Sequence, residues 1–176
     1  EADYYAYADQ DDIWIENKIE LAVNSLNKLD DQKPNMAFGN SDYYDENMEF
    51  IGHGEKDKEY SFLSSLFACV GQGMTMTVNK KTRDMIIGNM PKSCFFHDWW
   101  TYILCVGLGN VAYDNVTTVK YRRRKENATS EGQGYLRLLI WRVKNLLFKD
   151  GMKDIKQQMV NFRDIYYNDL QDDQKA

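Results

Sequence analysis

The chain has 176 residues, 43% of them hydrophobic and 14% aromatic, which is enough apolar material for one globular core and argues against disorder. Eleven glycines and two prolines exclude collagen-like and proline-rich sequences, and 28% charged residues with a negative mean hydropathy argue against an integral membrane protein. The net charge of −5 hides an asymmetry: residues 1–119 sum to −10, residues 120–163 to +8 and the last thirteen to −3, so the basic segment either meets an anionic partner or faces solvent.

Taken in order, Tyr4 to Ala8 reads as a buried strand that ends in Asp9-Gln10-Asp11-Asp12, a loop rich in carboxylates. Glu16 to Leu29 keeps helical spacing through Ile19, Ala22, Val23 and Leu26, and Pro34 closes the connection. Met36 to Phe50 holds two strand-like runs around Asp45-Glu46-Asn47, a hairpin pattern. Tyr60 to Asn79 is uncharged and of membrane-spanning length, but its serines, threonines and glycines favour a buried helix over Phe62 to Cys69, a Gly71-Gln72-Gly73 break and a strand over Met74 to Val78.

Lys80 to Asn89 predicts a helix stopped by Pro91, and Phe95-Phe96-His97-Asp98-Trp99-Trp100 opens another that runs to about Val106, before Gly107 and Gly109. Val111 to Tyr121 predicts a strand, Arg122 to Gly134 a polar loop, and Tyr135 to Phe148 an amphipathic helix. A last helix spans Met152 to Leu170. Without internal repeats or an evident linker, these elements make one α/β unit.

Three cysteines, Cys69, Cys94 and Cys105, without a C-x-x-C pair, and only two histidines, His53 and His97, disfavour a disulfide framework or a zinc module. No charged segment followed by an apolar one opens the chain, so a reducing cytoplasmic compartment is expected.

The Asp9 to Asp12 run would set carboxylates against one another unless a cation or hydrogen-bond donors neutralise them. Either it holds a hard divalent ion, or it is a solvated turn in which Asp12 caps the following helix. An EF-hand is excluded, because Ile13 and Trp14 stand where a third ligand and a glycine belong. His97-Asp98 has an ordinary reading as helix-dipole and packing residues. Gly71-Gln72-Gly73 lacks the spacing of a dinucleotide loop and reads as a turn. The Asn115-Val116-Thr117 and Asn127-Ala128-Thr129 patterns for glycosylation mean nothing without secretion.

The order and spacing of several blocks resemble the inverting glycosyltransferases of family 2, in particular bacterial rhamnosyltransferase-like enzymes of polysaccharide synthesis. Tyr4 to Trp14, with Lys18 following, resembles that family's metal-motif strand and first helix, and Ser41-Asp42-Tyr43-Tyr44-Asp45 its next hairpin. Gln72-Gly73-Met74-Thr75-Met76 with Asn79 resembles the acceptor-side strand, Phe96-His97-Asp98-Trp99-Trp100 the segment bearing the base, and Tyr121-Arg122 the loop after it. The likeness covers roughly residues 3–130.

The resemblance implies a GT-A-like mixed sheet flanked by helices over residues 1–134, with most of the N-terminal nucleotide-binding half absent, and a C-terminal helical extension over 135–176. It implies a nucleotide-diphosphate sugar donor, a glycan or lipid-linked acceptor, and Mn²⁺ or Mg²⁺ at the D-x-D motif. Asp11 would ligate the metal, Asp9 would contact the ribose or the metal and its waters, and Asp12 would support the donor site. Asp98 would act as the base of a single displacement.

Where the family often has a histidine, Arg122-Arg123-Arg124-Lys125 stands here; Arg122 and Arg124 are assigned to the diphosphate, which guanidinium groups clamp well, with a solvated basic loop as the other reading. Gln72, Thr75 and His97 are the candidate acceptor contacts. The Tyr135 to Lys149 helix, with Arg137, Arg142, Lys144 and Lys149, either lies on an anionic membrane at the inner face or packs on its own domain. No nucleic-acid partner is expected. An inactive or partner-dependent glycosyltransferase-like binding domain is the second reading, and a calcium-binding or purely structural module the third.

Overall fold

A computed structural model describes residues 2–54, 60–123 and 151–175. It is a mixed α/β architecture in which a six-stranded sheet carries helices on its faces. The strands are β1 (Tyr4–Ala6), β2 (Ile13–Trp14), β3 (Asn35–Tyr44), β4 (Phe50–His53), β5 (Met76–Asn79) and β6 (Asn110–Arg122). The helices are α1 (Lys18–Leu26), α2 (Phe62–Ser65), α3 (Lys80–Gly88), α4 (His97–Leu108), α5 (Gly151–Tyr166) and α6 (Asp172–Lys175).

The sheet order is β1-β5-β3-β6-β2, with β4 paired to the far end of β3. Only β3 and β6 run parallel; the other pairings are antiparallel. Nearly every residue of β3 is buried, as a central strand covered on both faces requires. Met36 and Phe38 enter the core shared with α4, while the intervening Ala37 and Gly39 lie with Lys18, Leu21 and Ala22 of α1. Gly39 has to be small there, since a Cβ would lie 2.6 Å from Thr118 Cγ2 on β6.

Helix α4 is apolar around its circumference, with Trp99, Trp100, Tyr102, Ile103, Leu104 and Cys105 all buried, so it occupies the centre of the molecule. Phe162 and Tyr166 of α5 pack their rings 5.7 and 6.3 Å from that of Trp100. The described C-terminal helix therefore shares one core with the sheet and α4.

At the end of the sheet away from the acidic loop, Asn79 Oδ1 caps α3 by accepting from Thr82 N at 3.0 Å and also accepts from Asn35 N at 3.0 Å. Asn110 Nδ2 donates to Asn35 Oδ1 at 3.0 Å, tying β5, β3 and β6 together.

Most predicted elements stand, with four corrections. The first strand is a three-residue, half-buried edge rather than a buried strand. In α1 the apolar pattern misplaces one position: Ile19 is 41% exposed while Lys18 is 1% exposed, its ammonium lying over the Trp14 ring. The helix expected over Phe62 to Cys69 is four residues long and mostly unburied, with Leu63 and Phe67 facing outward. A Ser61–Ser64 capping box starts it, and the Trp99 indole N–H donates to the Ser65 carbonyl at 2.6 Å, anchoring only its inner side. The strand expected from Met74 begins two residues later, because Thr75 donates both its N–H and its hydroxyl to the Gln72 carbonyl and closes a 3₁₀ turn over Gly73–Thr75. The predicted Tyr135 to Phe148 helix, Arg124 and the 134/135 boundary lie outside the described residues.

Candidate active site

The acidic loop follows β1 as a tight turn, with Asp12 N donating to the Asp9 carbonyl at 3.4 Å. Strand β2 then pairs with the far end of β6, Trp14 opposite Val119 and Ile13 opposite Lys120. This pairing carries the loop to the end of β6, where Arg122 N donates to Asp12 Oδ1 at 3.0 Å. The second Asp12 oxygen is buried and has no partner among the described residues. Burial, opposed by the Arg122 N–H and reinforced by Asp9 and Asp11, pushes the Asp12 carboxyl up to about 6. Asp9 is also raised, first by desolvation and then by Asp11, with His97 acting against them and Asp98 adding to them.

The charges of His97 and Asp98, at the start of α4, reach Asp9. Tyr7 makes the direct link. Its hydroxyl lies 2.7 Å from Thr101 Oγ1, and its ring meets that of His97 edge-on at 4.8 Å between centroids. Asp98 Oδ1 accepts from Trp99 N at 2.8 Å. On its other side stands Gly73, where a Cβ would come within 3.2 Å of Asp98 Oδ2. The end of β1, the start of α4 with Asp98, and the Gly71–Gly73 turn thus meet at one edge of the sheet.

Of the residues singled out from the sequence, Asp9 feels the charges of Asp11, His97 and Asp98, and Asp12 those of Asp9 and Asp11, so these five lie within electrostatic reach of one another. Gln72 lies next to this group in sequence and fold, hydrogen-bonded to Ser41 Oγ. Thr75 is 2% exposed and its hydroxyl is spent on the Gln72 carbonyl, so it shapes the turn from beneath. Arg122 contributes its backbone N–H to Asp12, while its Nε donates to Met48 Sδ at 3.1 Å, over the β3–β4 turn.

Sequence reading gave no separate role to Tyr7 and did not foresee the approach of Gly73 to Asp98 or the burial of Lys18. Each had a faint signal: Tyr7 lies two residues before the acidic loop, Gly73 breaks an otherwise apolar run, and Lys18 sits one turn after Trp14.

The donor set suits a hard divalent cation. An ion such as Mg²⁺ is commonly held by one or two carboxylates, with phosphate oxygens and water completing its shell. Among the described residues no three of His, Cys, Asp and Glu gather as a self-sufficient metal site. The loop nevertheless offers a buried carboxylate oxygen without a partner and carboxyls whose mutual repulsion a cation would relieve. Asp11 and Asp9 are the residues that would hold it, with the orphaned Asp12 oxygen in the same loop. Among the described residues no helix is long and apolar enough to cross a membrane.

No family model matches the chain. Among curated proteins it is similar to the dTDP-rhamnosyl transferase RfbG of Shigella flexneri, with 29% identity over 138 residues, covering 71% of this chain and 44% of that protein. The chain is thus distantly related to a glycosyltransferase and spans less than half the length of the curated relative it matches.

Proposed function

We propose that this chain is the metal-motif and acceptor-side part of a GT-A-type inverting glycosyltransferase acting in cell-surface polysaccharide synthesis. The observation that carries the reading is the contact of Tyr7, two residues before the acidic loop, with His97 and Thr101 of α4, which brings the loop toward the start of the helix that bears Asp98. Two carboxylate groups with separate tasks are what such a transfer needs, one near the leaving diphosphate and one near the attacking hydroxyl.

In this reading Asp11 and Asp9 would hold Mn²⁺ or Mg²⁺ with Asp12 in support, and the ion when bound neutralises charge on the departing diphosphate. Asp98 accepts the proton of the acceptor hydroxyl as that oxygen bonds to the anomeric carbon. The bond from that carbon to the diphosphate breaks on the opposite face, and the diphosphate leaves with the electron pair. His97 and Gln72 border the space where an acceptor sugar would sit, and Arg124 is the candidate phosphate clamp. The acceptor is a glycan or a lipid-linked glycan, and the Tyr135 to Lys149 segment provides peripheral contact with the inner face of the membrane. The first donor to test is dTDP-rhamnose, from the name of the relative.

The natural polypeptide carrying these residues, incubated with dTDP-rhamnose or uridine-diphosphate sugars, Mn²⁺ and a membrane-lipid extract, should transfer sugar. Asp98→Asn should lower the rate by about 10²-fold or more while leaving donor affinity unchanged. Metal-dependent donor binding without transfer in either protein would favour the partner-dependent binding domain instead.

A further inference from the structure

Helix α5 reaches back to the segment that launches α4. Gln158 is 1% exposed, and its Oε1 accepts from the backbone N–H of Phe95 at 2.9 Å and of Phe96 at 3.3 Å. The Cys94 thiol donates to the same oxygen at 3.5 Å. One turn on, Asn161 Nδ2 donates to the Ser93 carbonyl at 2.9 Å. These are the residues directly ahead of His97 and Asp98, and the Phe96 carbonyl accepts from Trp100 N at 3.0 Å to close the first turn of α4.

Gln158 lies on the apolar face of α5, in line with Ile155, Met159 and Phe162. Burying an amide there is costly unless it is hydrogen-bonded. Its Nε2 has no partner among the described residues, so the acceptor oxygen alone offsets that cost. Phe95 and Phe96 N–H precede the helix and have no carbonyl of α4 to bind. The side chain therefore acts as a fixed peg for the backbone that sets where α4 begins.

We propose that Gln158 is a positioning residue for Asp98: by holding the Phe95 and Phe96 amides from α5, it fixes the start of α4 and thereby the Asp98 carboxylate between Gly73 and the acidic loop. The inference rests on the reading of Asp98 as the base. It gives the C-terminal helix, far from the acidic loop in sequence, a task in the chemistry. Gln158→Met keeps the volume and removes the acceptor; Gln158→Glu restores an acceptor oxygen.

Two measurements on the natural polypeptide decide it. Amide exchange should show Phe95 and Phe96 protected in the wild type, about tenfold faster exchange in Gln158→Met and recovery in Gln158→Glu. At saturating donor, Gln158→Met should lower kcat about tenfold with donor KM within about twofold, and Gln158→Glu should regain most of the rate. Rapid exchange of these amides in the wild type overturns the proposal even if Gln158→Met does not fold, and so does an unchanged kcat in a folded Gln158→Met protein. If the exchange pattern holds but the wild type transfers no sugar from any donor, the glycosyltransferase reading fails, the positioning role falls with it, and the contact is structural.

Discussion

A Cβ placed on Gly73 would stand 3.1 Å from Asp98 Cβ and 3.2 Å from its Oδ2. A side chain at residue 73 would therefore crowd the start of α4, and Asp98 or the turn would have to give by a few tenths of an ångström. Two segments twenty-five positions apart in sequence meet at this point, and the Asp98 carboxylate is held against backbone on one side.

Gly73→Ala must shift Asp98 by a few tenths of an ångström or tilt the turn. Because misplacing a reacting group by about 1 Å costs about 10²-fold, a loss of about tenfold in kcat is expected, with a change in stability of about 1 kcal/mol or less. Steady-state transfer rates combined with a denaturant melt check this. A large loss of stability with normal kcat in the folded fraction would mean that the contact only supports the fold.

Much of this arrangement was legible in the sequence, because it depends on local pattern. The β1 strand into an acidic loop, the hairpin around Asp45, and the long apolar helix after His97 each follow from periodicity and turn residues. What escaped the sequence depends on tertiary neighbours. Lys18 is a charged residue whose burial over the Trp14 ring no periodicity shows, and Phe67 reads as core but faces outward because α2 ends after one turn. Gln158 lies within the last predicted helix without any mark of its own; its contacts appear only when Phe95 and Phe96 are seen beside it.

Lys18 gives a pH signature. Its ammonium is buried without a hydrogen-bond partner among the described residues, lies 4.0 Å from the Trp14 ring centre, and is pushed down to about 8 by desolvation. The unfolded chain holds this proton up to about 10.4, so between about pH 8 and 10.4 the unfolded state binds more protons and stability from this group rises with pH. Lys18→Met should stabilise the chain by about 1–3 kcal/mol at pH 7, and the difference should shrink towards pH 10. Urea melts of both proteins at pH 7, 8.5 and 10 test the sign.

Asp12→Asn should separate the cost of the acidic loop from its use. Asparagine keeps an acceptor for the Arg122 N–H and removes a crowded charge whose second oxygen lacks a partner among the described residues. Without metal the variant should be more stable at pH 7 by about 1 kcal/mol, allowing for solvent screening at this half-exposed residue. With Mn²⁺ and a nucleoside diphosphate it should gain less than the wild type. Calorimetric melts with and without the pair of ligands give both numbers.

Gly109 tests the fold itself. A Cβ there would fall 1.7 Å from the Pro34 carbonyl oxygen, at the corner where α4 turns into β6 and Asn110 N donates to that same carbonyl at 3.1 Å. Gly109→Ala should cost about 3 kcal/mol or more, enough to unfold a marginal domain. Gly88→Ala, where nothing lies within 4 Å, should be neutral or slightly stabilising, since alanine is the better helix former. Circular-dichroism melts of the pair compare the two environments directly.

The central claim is that the Asp9 to Asp12 loop binds a divalent ion together with a nucleoside diphosphate. The most direct measurement is the melting temperature of the natural polypeptide with thymidine or uridine diphosphate, with and without Mn²⁺, in the wild type and in Asp11→Ala. The account predicts stabilisation by a nucleotide only when the metal is present, because ligands that bind the native state raise its stability, and loss of that stabilisation in Asp11→Ala. Stabilisation by metal alone, indifferent to every nucleotide, would contradict it and leave the acidic loop as a cation site with no part in sugar transfer.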